Sequence, residues 1–403
     1  MRSRVMTTTV VLATATALAL AGCGSSKSSS GGGLGTAASG TTTAGSTAKT
    51  YDIGFEGPLS GANAQLGINE EYGAELAVAQ ANASSTLGFK LKLVKADDQG
   101  DPAKAPAAAT SLIQDVNLMG VIGPSFSGAT LAVGKLYAAA GVAVITPSAT
   151  NATLQTQGFA TFHRIVPNDN VEGSQGADWL ARHGIKKLFV LQDLSAYGKG
   201  VGDTVAKEAK AKGITVIEQG LDGTSTKNYN PIAQTITASG ATAMFYGGYD
   251  AQAALLAKAL KSAGFKGLTV GGNGIKSSVF TKSSGSAGYG WYITCGCQDA
   301  TVAPQSKAFA AAYQTAFKTP PSTYSPEAYD ATNALIQAIK TAGASTATRA
   351  SVESAVNALD YTGITTTVKF QADGDLLSSV EVVNLYKDEA GNIVELGNIQ
   401  AQK

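Results

Sequence analysis

From Tyr51 onward the chain alternates short β-branched runs with longer alanine-rich amphipathic runs, and this alternation constrains the fold more than any other feature. Strand–helix alternation of this kind builds βαβ units, whose crossover helices make neighbouring strands parallel and cover both faces of the sheet. Strands are predicted at Asp52–Phe55, Phe89–Ala96, Met119–Ile122, Ala143–Ile145, Leu188–Leu191, Thr215–Ile217, Ala243–Tyr246 and Leu268–Val270. Between them the 3.6-residue period predicts helices over Ile68–Asn82, Pro102–Val116, Thr130–Ala140, Gly173–His183, Lys199–Lys212, Asn230–Ser239 and Ala251–Ala263. Pro304–Phe317, Pro326–Ala342 and Ser351–Leu359 read as later helices, and Val368–Phe370 and Glu381–Tyr386 as late strands. About 350 residues exceed one comfortable core, so two lobes are expected, both α/β with doubly wound parallel sheets.

The loops at the carboxyl ends of these strands are as regular as the strands themselves. Gly57-Pro58-Leu59-Ser60-Gly61, Gly123-Pro124-Ser125-Phe126-Ser127-Gly128 and Thr146-Pro147-Ser148-Ala149-Thr150 close strands of the first half. Asp193-Leu194-Ser195-Ala196-Tyr197-Gly198, Gly247-Gly248-Tyr249-Asp250 and Gly271-Gly272-Asn273-Gly274 close strands of the second. Turn chemistry accounts for the glycines and prolines, but not for hydroxyls and tyrosines in loop after loop. In open α/β sheets ligands lie outside the carboxyl ends of the strands, so these loops are where a small ligand belongs.

Ahead of this body lies a different kind of sequence. Arg2 and Arg4 precede an uncharged run of roughly 18 residues, marginal for a membrane span of ~20, and the run closes on Leu20-Ala21-Gly22-Cys23. A basic start, an apolar stretch and small residues before a cysteine make a secretory leader over 1–22. The tetrad resembles a bacterial lipobox, which implies that Cys23 is acylated on sulfur. Residues 23–50 are rich in Ser, Gly and Thr and hold no aromatic side chain, the composition of a flexible tether. An extracytoplasmic domain, tied to the cell membrane through its lipid alone, is therefore expected. Without Arg2 and Arg4, 28 basic residues face 29 acidic ones, and nothing in that balance asks for nucleic acid.

Chemistry that an enzyme would display is missing. No serine has glycine at both flanking i±2 positions, no Gly-Lys is followed by Ser or Thr, and neither His-Glu-x-x-His nor a phosphate-cradling Gly-x-Gly-x-x-Gly occurs. His163 falls in a short strand-like segment, Thr161–Ile165, and His183 at a helix end, where it compensates the helix dipole. With Cys23 taken by lipid, Cys295 and Cys297 remain. Two thiols and two distant histidines fall short of a metal site; the pair could oxidise outside the cytoplasm, though cysteines two apart strain a bridge, and both read as local and structural, their redox state open, with no metal and no cofactor.

The stretch Val121-Ile122-Gly123-Pro124 through Ser127, then Gly141 to Asn151, resembles the leucine/isoleucine/valine-type periplasmic binding proteins, the type I solute receptors of ABC importers. The likeness runs on through Gln192, Tyr197-Gly198, Tyr246-Gly247-Gly248-Tyr249 and Gly374-Asp375-Leu376, and covers Tyr51 to Lys403. It implies two lobes joined by a three-crossing hinge, with crossings near Pro167–Asn170, Thr294–Gly296 and Gly363–Lys369. The first lobe would then be 51–168 with 296–364, the second 169–295 with 365–403. It also implies a non-enzymatic receptor, acting as a monomer, that hands a small amphipathic solute to permease and ATPase subunits; a sensory receptor on the same body is the alternative.

The resemblance places a solute carboxylate on Ser127 and Thr150, an amine on the Ser148 carbonyl, and ring faces from Tyr197 and Tyr249 against the solute. The start of a helix at Ser127 supports the first of these, because free N–H groups and the helix dipole favour an anion there. Two departures stand out. Asn273 occupies the place of the family's ammonium-pairing Glu, which disfavours an amino acid unless Glu56 or Asp250 substitutes, and Leu66 replaces an aromatic side chain. Gly100 and Phe126 stand where the family has a first-lobe disulfide.

Overall fold

The computed structural model describes residues 48–402. The leader, Cys23 and the tether as far as residue 47 lie outside the described residues. Strand β1 (Thr50–Gly57), helix α1 (Ala64–Ala83), β2 (Lys90–Asp97), α2 (Ala105–Ile113), β3 (Leu118–Ile122), α3 (Ser127–Ala139), β4 (Ala143–Thr146) and β5 (Phe162–Arg164) come first. They form an all-parallel sheet in the order β2-β1-β3-β4-β5. The chain then runs through α4 (Asp169–Arg182), β6 (Lys187–Gln192), α5 (Ala196–Ala211), β7 (Thr215–Gly220), α6 (Asn230–Ala238), β8 (Ala243–Gly247), α7 (Asp250–Ser262), β9 (Leu268–Gly271), α8 (Ser278–Ser284) and β10 (Tyr292–Cys295). After α9 (Lys307–Phe317), α10 (Ser325–Ala342), α11 (Arg349–Asn357) and the small pair β11 (Tyr361–Thr362) and β12 (Thr367–Val368), it ends in β13 (Asn384–Glu389) and β14 (Asn392–Asn398). The second sheet has the order β14-β13-β10-β9-β8-β6-β7, with β13 and β14 antiparallel at one edge.

Both faces of each sheet are covered, which explains why their central strands read as unbroken apolar runs. Successive residues point to opposite faces. Ile122 and Ile145 therefore join Tyr51, Ile53 and Phe55 beneath α1 and α10, whereas Val121 and Val144 pack with Val133 and Tyr137 of α3. In the second sheet Phe189 and Met244 face one core, and Leu188, Val190 and Phe245 the other. Helix starts follow local capping. Asn168 Oδ1 accepts from the backbone N–H groups of Asn170 and Val171 and so starts α4 at Asp169, four residues before the periodicity does. Residues 102–104 are a turn, and α2 begins only at Ala105, with Pro106 in its first turn.

Three findings go beyond the sequence reading or differ from it. Strand β14 and helix α8 fall outside the predicted elements, the strand being a half-exposed edge with little apolar signal. Cys295 and Cys297 are joined to each other in a disulfide, both buried. The last passage between sheets also comes later than the resemblance implies. Val368 packs in the first-sheet core and Arg164 N donates to Gly374 O at 2.9 Å, whereas Val383 and Leu385 pack in the second. The chain therefore changes sheets after Leu376 and not at Gly363–Lys369.

Candidate functional site

Loops at the carboxyl ends of β1, β3 and β4 face loops at the ends of β6, β8 and β9, and the two sets touch. Asn63 Nδ2 donates to Asp250 Oδ1 at 2.6 Å, and Asn151 Nδ2 to Ala196 O at 2.5 Å. The Phe126 ring stacks on Tyr249, with centroids 4.3 Å apart and planes at 19°, and Tyr249 leans on Tyr197 at 5.4 Å. Phe126 reaches this position across Gly100, where an added Cβ would come within 2.8 Å of the ring. The positions that replace the family's disulfide are thus in direct contact.

Between these loops lies a narrow cavity of about 10 Å³, room for about one water molecule. Six of the seven residues singled out from sequence line it: Leu66, Ser127, Ser148, Tyr197, Tyr249 and Asn273. Glu70, Ser125, Phe126, Gly274 and Tyr324 complete the wall. Thr150 is fully buried but does not line the cavity. Its carbonyl accepts from Asp169 N at 2.8 Å, which turns it toward the passage into α4. A roomier hollow of about 220 Å³ beside Lys276, Asp299, Thr323 and Asn392 is more polar and carries no aromatic wall. The narrow cavity is the better ligand site, because apolar surface with a few converging polar groups is what holds small molecules.

Each polar group has a defined role. Ser127 is the first helical residue of α3, with Phe126 at the cap position, and its Oγ accepts from Asn151 N at 3.1 Å. The Ser127 hydroxyl therefore keeps its own proton free to donate. Ser148 Oγ donates to Ser125 O at 2.8 Å, and Gly274 N donates to Tyr197 Oη at 3.0 Å. Asn273 is engaged from behind, since its backbone N (3.0 Å) and Nδ2 (2.6 Å) both donate to Glu172, which also accepts from Thr294 Oγ1 at 2.7 Å. Burial pushes Glu172 up to about 7 against the pull of these three donors.

The acids proposed to stand in for the missing Glu are elsewhere. Glu56 is buried against the Tyr137 hydroxyl, and Asp250 is held by Ser277 and Asn63; neither lines the cavity. The acid at the cavity is Glu70, on α1. Its Oε2 accepts from Ser125 Oγ at 2.6 Å, its Oε1 has no partner, and burial pushes it up to about 8. Tyr324 Oη, from a distant part of the chain, is likewise without a partner. Sequence reading missed Glu70, Phe126 and Tyr324. The spacing Leu66, Glu70, Ala74, all buried, was the one available sign, because it puts a carboxylate on the apolar stripe of α1.

A family model described as periplasmic binding protein matches residues 50–389. The chain belongs to the periplasmic binding protein family. A Leu/Ile/Val-binding protein of Rhizobium johnstonii is 30% identical over 344 residues, 85% of this chain and 92% of that one. A leucine-, isoleucine-, valine-, threonine- and alanine-binding protein of Pseudomonas aeruginosa is 30% identical over 84% of this chain and 91% of its own length. Among solved structures, a leucine-binding protein of Thermotoga maritima aligns with a TM-score of 0.79 at 21% identity, over 86% of this chain and 97% of that one. A benzoate-bound solute-binding protein of R. palustris aligns at 0.78 and 22%, over 87% and 96%. These structural likenesses show the type I fold. With the family, the protein is an extracytoplasmic solute-binding protein and not an enzyme. Among the described residues no helix is long and apolar enough to cross a membrane.

Proposed function

We propose that this protein captures a small amphipathic organic solute, an amino acid, another carboxylate or an amide, between two closing lobes and delivers it to an ABC importer. The observation that carries the reading is the convergence of Phe126, Tyr197 and Tyr249 with the hydroxyls of Ser127 and Ser148 on one cavity between the two sheets. Tyrosine rings supply flat apolar area with a polar tip, and the start of α3 supplies donors for an anionic group. The lobes are 51–168 with 296–376 and 169–295 with the chain from residue 377 on, the last crossing lying after Leu376. Cys23 is its lipid attachment point, permease and ATPase subunits are its partners, and the captured state is monomeric.

Thermal unfolding in the presence of amino acids, carboxylates and amides tests the reading. A solute bound only by the folded cleft, at ~100 times its Kd, adds ~2.7 kcal/mol of stability. Absence of any shift across the three classes would refute capture.

A further inference from the structure

We propose that Glu70 is the counter-ion for a protonated amino group of the captured solute, which makes the solute class aminated amphipathic compounds and not simple carboxylates. The inference rests on the capture reading above and narrows it. Among the residues lining the cavity there is no lysine, arginine or histidine, and Glu70 is its one carboxyl group. That carboxyl is fully buried, engages Ser125 through Oε2, and presents an Oε1 with no partner. A buried acceptor left unpaired is costly, and a solute donor relieves it.

The neighbourhood favours a cation over a neutral donor. Asp98 and Glu327, from the turn after β2 and from α10, raise the Glu70 carboxyl further by like charge, and the Tyr324 hydroxyl on the same wall is uncharged. An ammonium has three donors, and Glu70 Oε1, Tyr324 Oη and the Asn273 side-chain carbonyl are the acceptors available to it. Asn273 is not itself the ion-pair partner, and Glu172 behind it already accepts three hydrogen bonds. A solute bearing only a carboxylate would find a protonated Glu70 and no cation among the lining residues to balance its own charge.

The test uses the whole chain and matched probes that keep one skeleton and delete one charge. L-leucine, 3-methylbutylamine and 4-methylpentanoate form one series; L-phenylalanine, phenethylamine and 3-phenylpropanoate form the other. By titration calorimetry an aminated member binds at least tenfold tighter than its des-amino partner, and Glu70→Gln removes that advantage. Gln keeps a donor, so a Glu70 that acted only as a neutral donor would survive the change. A second readout needs no variant. Because burial holds Glu70 at about 8, binding an ammonium at pH 7 releases close to one proton, seen as a dependence of the heat on the buffer's ionisation enthalpy. Tighter binding of the des-amino acids overturns the proposal and leaves capture standing, as does an unaltered aminated affinity in Glu70→Gln. If no member of either series shifts the melting of the wild-type protein, the capture reading for such solutes fails and the proposal fails with it.

Discussion

The stack of Phe126 on Tyr249 joins a loop of the first sheet to a loop of the second, so its energy belongs to the closed arrangement and should be felt in solute binding. Tyr249 makes two ring pairs, with Phe126 at 4.3 Å and with Tyr197 at 5.4 Å. Aromatic pairs contribute about 0.5–1.5 kcal/mol each beyond area burial, so Tyr249→Ala should cost about 1–3 kcal/mol of binding. That corresponds to a Kd weakened roughly 5- to 150-fold. Phe126→Ala should cost the share of one pair. The double variant separates the pair from the burial each ring loses on its own: coupling of about 0.5–1.5 kcal/mol is expected in the binding free energy. Calorimetry on the four proteins gives that number, and denaturant unfolding of the same four without solute gives its counterpart in stability. Coupling below about 0.3 kcal/mol in binding, within the error of additivity, would mean that the rings do not meet when solute is held. Equal coupling in solute-free stability would mean that the stack is a permanent part of the fold and not a product of closure.

Glu56, Glu70 and Glu327 are pushed up to about 8 and Glu172 to about 7, all chiefly by burial, so the folded chain holds more protons than the unfolded one as pH rises through this range. Stability should therefore fall from pH 7 to 8; the window starts above the unfolded value of 6.5 for His163, whose lowered folded pKa acts chiefly below it, and a melting temperature that rises across the window would contradict the placement of these acids. Asn273→Glu, which restores the family's residue type, should lower the melting temperature and bring no gain in amino-acid affinity, because the new carboxylate meets Glu172 and replaces the Nδ2 group that donates to it. Improved binding of any amino acid by that variant would count against the Glu172 contact. Gly73→Ala should destabilise by about 1–3 kcal/mol in urea unfolding, since its Cβ would lie 2.2 Å from Ser325 O where α1 crosses α10; a neutral result would show that the two helices can part.

The architecture was legible because the strands carry two independent signals. Leu118–Ile122 and Ala143–Ile145 are apolar throughout, as strands buried on both faces must be, and each leads into a Pro-containing turn, the first of them followed by the alanine-rich α3. Ser127, Tyr197 and Tyr249 were legible for a related reason, since each comes after a strand end and none is needed there for turn formation. Glu70 was not, because an acid in mid-helix ordinarily marks the solvent face, and its burial depends on Ser125 and α10 arriving from distant parts of the chain. Tyr324 reaches the cavity from the segment that returns to the first sheet, with left-handed backbone (φ 65°) just ahead of α10, and no local pattern announces that turn. Thr150 misled in the opposite sense. It does come after a strand end, but that strand lies next to the passage into the second sheet, and its carbonyl is engaged in starting α4.

The acids around the cleft also bear on how it can close at all. Bringing two sheets together over ionised carboxylates would bury unpaired charge, a cost of several kcal/mol for each. Glu70 at about 8 and Glu172 at about 7 reduce it by holding protons near neutral pH, and burial and the nearby Glu172 push Asp169 in the same direction. The loops can then meet, as Asn63 with Asp250 and Phe126 with Tyr249 do. An arriving ammonium reverses the balance at one position only, because Glu70 alone among these three lines the cavity. Charge selectivity and closure are thereby separated: the rings and loop contacts set how readily the halves meet, and the single carboxyl sets which solute can displace its proton.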